Sequence, residues 1–318
     1  DAPVASQDGC TLTLAPQGSV TCAISVTEIG QGARTIAGQI VASVLGVGME
    51  DVTINLGDSG ITPYGGGNWG SRGAGIGGEA AYQAAQALRK NILQVAAFLL
   101  QNEPSCLDIR DRQIVEFGTG AIRMSLKELA HKVYFRTELF PKNFQPELVA
   151  TRHVAQKDFD GIVTNGIQGV YLEVDTETGF LRLLKHWVVH DCGTAINPDL
   201  VGEQIRGGVA QGLGAALGEA CLYSPEGQLL NGSLAEYLVP MAVEMPDMDI
   251  DLISTPTKSS ALGAKGAAEA GTAGAPAAVM NAINDALAPF EVALSVQPFT
   301  PERILRALGM PPREANRS

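Results

Sequence analysis

Apolar and polar residues alternate along TLTLAPQGSVTCAISV (11–26), the mark of two short strands turning about Pro16-Gln17-Gly18-Ser19. The period then changes. Ala33, Ile36, Ala37, Ile40, Val41, Val44 and Leu45 recur every three to four residues, which predicts one helix, ended by Gly46 and Gly48. MEDVTINLGD (49–58) predicts a strand. The loop ITPYGGGNWGSRGAGIGG (61–78) then leads into an alanine-rich helix over about 79–102, apolar on most sides and so expected to be buried. Residues 103–165 are more polar, with MSLKELAHKVYF (124–135) as one short helix. The stretch 140–161 has no clear period and reads as a linker or cover.

The second half repeats this vocabulary. GVYLEVD (169–175) and GFLRLLKHWVVH (179–190) form a hairpin about Thr176-Glu177-Thr178, and DCGTAINP (191–198) opens a helix with Asn197 as N-cap and Pro198 as first residue. A third hairpin is expected at about 218–230, a strand at DIDLIST (249–255), a loop at GAKGAAEAG (263–271) and a helix at 275–290. Hairpins mixed with helices make this an α+β chain and not an alternating βαβ one. Its 318 residues suggest two domains, divided here as 1–150 and 151–318. No sequence repeat is strong enough to assign.

Charge narrows the partners. The net charge of −12 argues against nucleic acid or an anionic membrane, both of which need a basic surface. No apolar run reaches the roughly 18 residues of a membrane span. The five cysteines form no C-x-x-C pair, which speaks against a zinc ribbon, a disulfide framework or an iron–sulfur cluster held within this chain. A reducing, cytoplasmic setting fits best.

Chemistry concentrates in glycine-rich loops. A strand, a glycine-rich loop and a helix start recur at about 31, 78, 198 and 275. Backbone N–H groups at such starts can receive an anion without a charged side chain. Gly73, Gly75 and Gly78 spell G-x-G-x-x-G, but a long loop and not a strand precedes them, so a dinucleotide fingerprint is rejected. Gln204, Gly208 and Gln211 share one helix face, where amides suit either solvent or a heterocycle or metal-oxo partner. His190, Asp191 and Cys192 are adjacent and point to alternate faces, so each reads as structural. Glu269 stands out: apart from Lys265, its surroundings are glycine and alanine, which let backbone approach something bulky.

Together TEIGQG (27–32), GSRGAG–IGGEAAYQAA (70–85), DCGTAINP…GEQIRGGVAQGLG (191–214), LYSPEGQL (222–229) and AKGAAEAG with its helix (264–287) resemble, in order and spacing, the molybdenum-binding subunit of the xanthine oxidase/dehydrogenase family of molybdenum hydroxylases. The resemblance implies a mixed α+β arrangement of two molybdopterin-binding subdomains, 1–150 and 151–318, the second with the catalytic glutamate loop. It implies that Gly30, Gln31, Gly32, Asn68, Gly70, Ser71, Arg72, Gly73 and Gln204 contact a molybdopterin, in its plain or cytosine dinucleotide form. Molybdenum would be held through the pterin and by no protein ligand. Glu269 matches the catalytic glutamate, a general base whose pKa apolar surroundings would raise.

The implied reaction oxidises an aldehyde or aromatic N-heterocycle with water as oxygen source. Electrons would pass to iron–sulfur clusters and FAD on partner chains. The alternative is a non-catalytic scaffold or interaction subunit that keeps the fold. Two departures stand out. Ala268 replaces the glycine that usually precedes the glutamate, which matters if that position requires a positive φ. The family's N-terminal half is absent from these residues, so a second molybdenum-domain chain or segment is expected beside an iron–sulfur subunit and an FAD subunit.

Overall fold

The computed structural model describes residues 7–155 and 163–310. The fold is mixed α+β and divides into two compact units. The first comprises Asp1–Val163, Thr194–Asn197 and Pro256–Gly266; the second comprises Thr164–Gly193, Pro198–Thr255 and Ala267–Ser318.

In the first unit the predicted hairpin is β1 (Gln7–Leu14) with β2 (Val20–Ile24), antiparallel. The helix α1 (Ala33–Leu45) follows and ends on Gly46 in the left-handed conformation. The chain then returns as β3 (Val52–Leu56), parallel to β2. Parallel neighbours need a crossover, and α1 supplies it. Six residues in a wide π-helical turn (Gly73–Gly78) run into α2 (Glu79–Leu100). Leu12, Leu14, Val20 and Cys22 from the sheet, Val41 and Leu45 from α1, and Leu88 and Ile92 from α2 share one buried core.

Two segments differ from expectation. The 103–165 region holds a second antiparallel sheet, β4 (Leu107–Arg110), β5 (Gln113–Glu116) and β6 (Ile122–Ser125), before α3 (Leu126–Phe135). Ser125 caps α3 by accepting the Glu128 N–H at 3.0 Å. Within the expected linker, β7 (Val149–Ala155) is a true strand, paired along β1, so the sheet order is β3-β2-β1-β7. Positions 156–161 of that linker lie outside the described residues.

The second unit opens with the hairpin β8 (Asn165–Val174) and β9 (Leu181–Asp191), followed by α4 (Pro198–Leu217). The strand β10 (Asp247–Ile253) pairs parallel to β9. The helix α5 (Ala268–Leu287) starts seven residues earlier than the expected 275, and α6 (Pro301–Ala307) completes the unit. Where a third hairpin was expected, one isolated bridge joins Tyr223 to Leu229. Ile205, Val209 and Leu213 of α4 and Val279 and Ile283 of α5 form the core with Leu172 and Val188.

The two units share one topology that the sequence concealed. Hairpin, crossover helix, parallel strand, loop and helix give β3-β2-β1 in one and β10-β9-β8 in the other. In the first unit two loops, TEIGQG and the 57–72 loop, leave the carboxyl ends of the parallel strands β2 and β3, the place where open sheets take ligands.

Candidate functional site

Within the first unit, TEIGQG folds on itself. Gln31 donates from Nε2 to the Thr27 carbonyl at 2.8 Å and accepts the Ile29 N–H at 2.8 Å through Oε1. Gly30 and Gly32 take positive φ values of 98° and 82°, which only glycine adopts freely. Asn68, 41 residues further on, donates to the same Thr27 carbonyl at 2.6 Å. This hub joins two of the predicted site segments.

The amide cluster opening α1 already holds an anion. Glu28 accepts the N–H groups of Gly30 and Gly32, each at 3.1 Å, and of Arg34 at 2.9 Å. Desolvation opposes its charge, but these backbone donors outweigh it and hold the carboxyl below its ordinary pKa. A free α1 N-terminus, as the loop pattern suggested, is therefore not what the structure presents.

The 68–73 segment is strained and anchored. Gly70 and Ser71 follow one another with φ of 62° and 50°, a region that a non-glycine residue such as Ser71 seldom adopts. The Arg72 side chain is buried and turns inward: it pairs with Asp8 at 2.6 Å and donates to the Gln7 carbonyl at 2.8 Å. Burial raises the Asp8 pKa, opposed by the Ser25 hydroxyl and the Arg72 charge. Arg72 thus fastens the loop to β1. Gly73 begins the π-helical turn, a geometry uncommon except near functional sites. The G-x-G-x-x-G glycines fall within that turn, with no strand directly before them. One requirement there is steric, since a Cβ on Gly77 would lie 2.1 Å from Val26.

In the second unit α4 and α5 cross backbone to backbone. A Cβ on Gly208 would lie 2.4 Å from the Ala268 carbonyl oxygen, and one on Gly271 would lie 2.7 Å from that of Ile205. Thr272 Oγ1 donates to the Gly208 carbonyl at 3.0 Å. Half-buried Gln204 sits one turn before Gly208, and Glu269 lies on the first turn of α5, so the crossing brings their turns together. Glu269 is helical and exposed, not enclosed in an apolar loop as its sequence neighbours suggested. Ala268 is the first residue of α5 and is not among the positive-φ positions, so its methyl group is unstrained. Lys265, buried, belongs to the first unit.

Sequence reasoning missed one buried network. Gln168 of β8 donates from Nε2 to the carbonyls of Ala270 at 3.0 Å and Gly271 at 3.1 Å, and its Oε1 lies 2.9 Å from Nε2 of fully buried His186. No spacing in the chain foretells it, because the partners sit on separate strands. Burial lowers the His186 pKa from 6.5 to about 4. The unfolded ring takes its proton near pH 6.5 and the folded ring near 4, so the unfolded state binds more protons between these values. The stability His186 contributes is complete above pH 6.5 and is lost as the pH falls toward 4. Allowing for partial solvent screening, the loss is on the order of 2 kcal/mol. Melting curves from pH 7 to 4 check this: the fall should be shallower by that amount in His186→Gln, and equal slopes would refute it.

The Asp191 carboxylate accepts the N–H groups of Gly193 at 2.8 Å and Thr255 at 3.1 Å and bends the chain after β9. Among the described residues no group of three His, Cys, Asp or Glu side chains could hold a metal, and no helix is long and apolar enough to cross a membrane.

The molybdopterin cofactor-binding domain family matches residues 2–246. The chain is 37% identical over 300 residues to the nicotine 6-hydroxylase large subunit of Paenarthrobacter nicotinovorans, which is 94% of this chain and 36% of that protein. It is 30% identical over 301 residues to the carbon monoxide dehydrogenase large chain of Hydrogenophaga pseudoflava, covering 95% of this chain and 37% of that one. Quinoline 2-oxidoreductase from Pseudomonas putida 86 superposes with a TM-score of 0.88 at 38% identity, covering 96% of this chain and 38% of that one. The chain therefore spans little more than a third of the length of these relatives. The motif order read from the sequence and these matches agree: the chain belongs to the molybdopterin cofactor-binding domain family, as part of a molybdenum-binding subunit of the xanthine oxidase type.

Proposed function

We propose that this chain is the base-bearing part of a molybdenum hydroxylase that oxidises an aromatic N-heterocycle or an aldehyde, taking oxygen from water. The observation that carries the reading is the glycine crossing of α4 and α5, which sets the Gln204 turn beside the turn bearing Glu269. The N-heterocycle is favoured over the aldehyde because nicotine 6-hydroxylase and quinoline 2-oxidoreductase share 37% and 38% identity with the chain. The aldehyde oxidoreductase of Desulfovibrio desulfuricans ATCC 27774, at 23%, shares the fold.

The residues fit a molybdopterin. A Cβ on Gly30 or Gly70 would meet nothing within 4 Å, so open space lies before backbone held at positive φ. The residues assigned to cofactor binding are Gly30, Gln31, Gly32, Asn68 and the Gly70–Gly73 backbone, and, on α4, Gln204. The side-chain amide of Gln31 shapes its turn, and the Arg72 side chain holds the loop in place. The cofactor, when bound, supplies the metal at which oxygen is transferred and two electrons are received. Glu269, at its carboxylate oxygens, accepts the proton from the attacking oxygen.

The pterin is taken in its plain or cytosine dinucleotide form. The electrons leave to an iron–sulfur subunit and an FAD subunit, and a second molybdenum-domain chain or segment completes the assembly. The experiment is molybdenum analysis of the complex purified with its partners, for parent, Gln31→Ala and Gln204→Ala. Each lost hydrogen bond costs about 1–3 kcal/mol, so molybdenum per chain should drop several-fold with the fold intact. Full metal content in both variants sinks their assignment.

A further inference from the structure

The first two turns of α5 are weak as a helix. Their sequence, AEAGTAGA, includes two glycines, and the N-cap Ala267 makes no side-chain hydrogen bond. Pro276 lies inside the helix and has no N–H to return to the Thr272 carbonyl. The turn carrying Glu269 therefore depends on groups outside the helix.

Two sets of contacts hold it. On one side is the backbone of α4 at Gly208. On the other, Gln168 reaches from β8 to the carbonyls of Ala270 and Gly271, the two residues after Glu269. Gly274 makes room, since a Cβ there would lie 2.6 Å from the Gln168 Nε2. With both donors facing carbonyls, the amide can turn only one way, and its Oε1 must face His186. An acceptor at that point requires the imidazole Nε2 to carry the proton. The other nitrogen, Nδ1, is buried with no hydrogen-bond partner among the described residues, which suits a neutral ring.

We propose that Gln168, oriented by His186, is a positioning residue for Glu269, pinning the first turn of α5 so that its carboxylate is presented in one place. The proposal rests on the reading of Glu269 as the base, and its main test does not.

Amide hydrogen exchange on the assembled complex compares the parent with Gln168→Met, which keeps the length of the side chain and removes both donors. Peptides covering 267–275 should exchange roughly tenfold faster, with those from α6 unchanged, as expected for about 1.4 kcal/mol of lost local protection. His186→Phe should reproduce the effect. His186→Gln, which can still donate to Gln168, should restore most of the protection. At equal molybdenum content, single-turnover reduction by substrate should slow in Gln168→Met with KM unchanged. Unchanged exchange over 267–275, or equal acceleration throughout the second unit, overturns the proposal. So does a parent-like rate in a variant whose 267–275 segment has loosened, provided Glu269→Gln is itself slow. A fast Glu269→Gln enzyme instead removes the base assignment and leaves the exchange result to decide whether the turn is pinned.

Discussion

Glu269→Gln should slow anaerobic single-turnover reduction by substrate by roughly 10²–10⁴-fold, the usual contribution of a general base. Glutamine keeps the size of the side chain and can still accept a hydrogen bond, but it cannot take the proton at Oε1 or Oε2. Molybdenum content and melting temperature should hardly move, because Glu269 is exposed and glutamine keeps its size. Reduction within tenfold of the parent rate at equal metal loading would falsify the assignment, and Lys265 or Asp191 would then be tested as the base.

Gly208→Ala should do the opposite: damage the structure first and the chemistry as a consequence. The new methyl would lie 2.4 Å from the Ala268 carbonyl oxygen, a backbone atom that no rotamer change can move. The helices must separate, at a cost typical of overpacking, about 1–3 kcal/mol. For a unit of this size that lowers the melting temperature by several degrees. The displaced element is the turn bearing Glu269, so the rate per molybdenum should fall as well. Gly207→Ala is the control. Its Cβ would meet nothing within 4 Å, and alanine in a helix interior should stabilise by about 0.5–1 kcal/mol. Equal melting temperatures for the two variants would show that the crossing tolerates bulk.

These two residues also show what the sequence made legible. Gly208 and Gln204 were placed on one face by periodicity, but that the face meets α5 needed the fold. The start of α5 reads as a loop in sequence because AEAGTAGAP carries two glycines, a threonine and a proline. The helix forms there because α4 and Gln168 hold its turns, a tertiary effect that composition does not reveal. The small sheet β4-β5-β6 escaped notice for a different reason. Its strands are four residues long, and the β4–β5 turn is made by Asp111 and Arg112 at φ of 46° and 64°, without the glycine or asparagine that marks such turns. β7 is largely exposed and carries its apolar residues in pairs at its two ends, so it lacks the alternation that betrays a half-buried strand. By contrast, α1 and both hairpins were readable, since each has a clean apolar period and a glycine or polar turn at its end.

The first unit is not continuous in sequence, and this sets an order of events during synthesis. Glu79, buried at the start of α2, accepts the Leu262 N–H at 3.0 Å across a separation of 183 residues, and Ile196 lies 3.8 Å from where a Cβ on Gly78 would stand. A ribosome adding about 5–20 residues per second needs roughly 10–40 s to cover that separation. Through this interval the nascent chain can assemble the β3-β2-β1-β7 sheet, but the Glu79 carboxylate must wait for its distant partner. Truncation at the apparent boundary near 163 would make that wait permanent, removing residues 194–197 and 256–266 from the unit they complete.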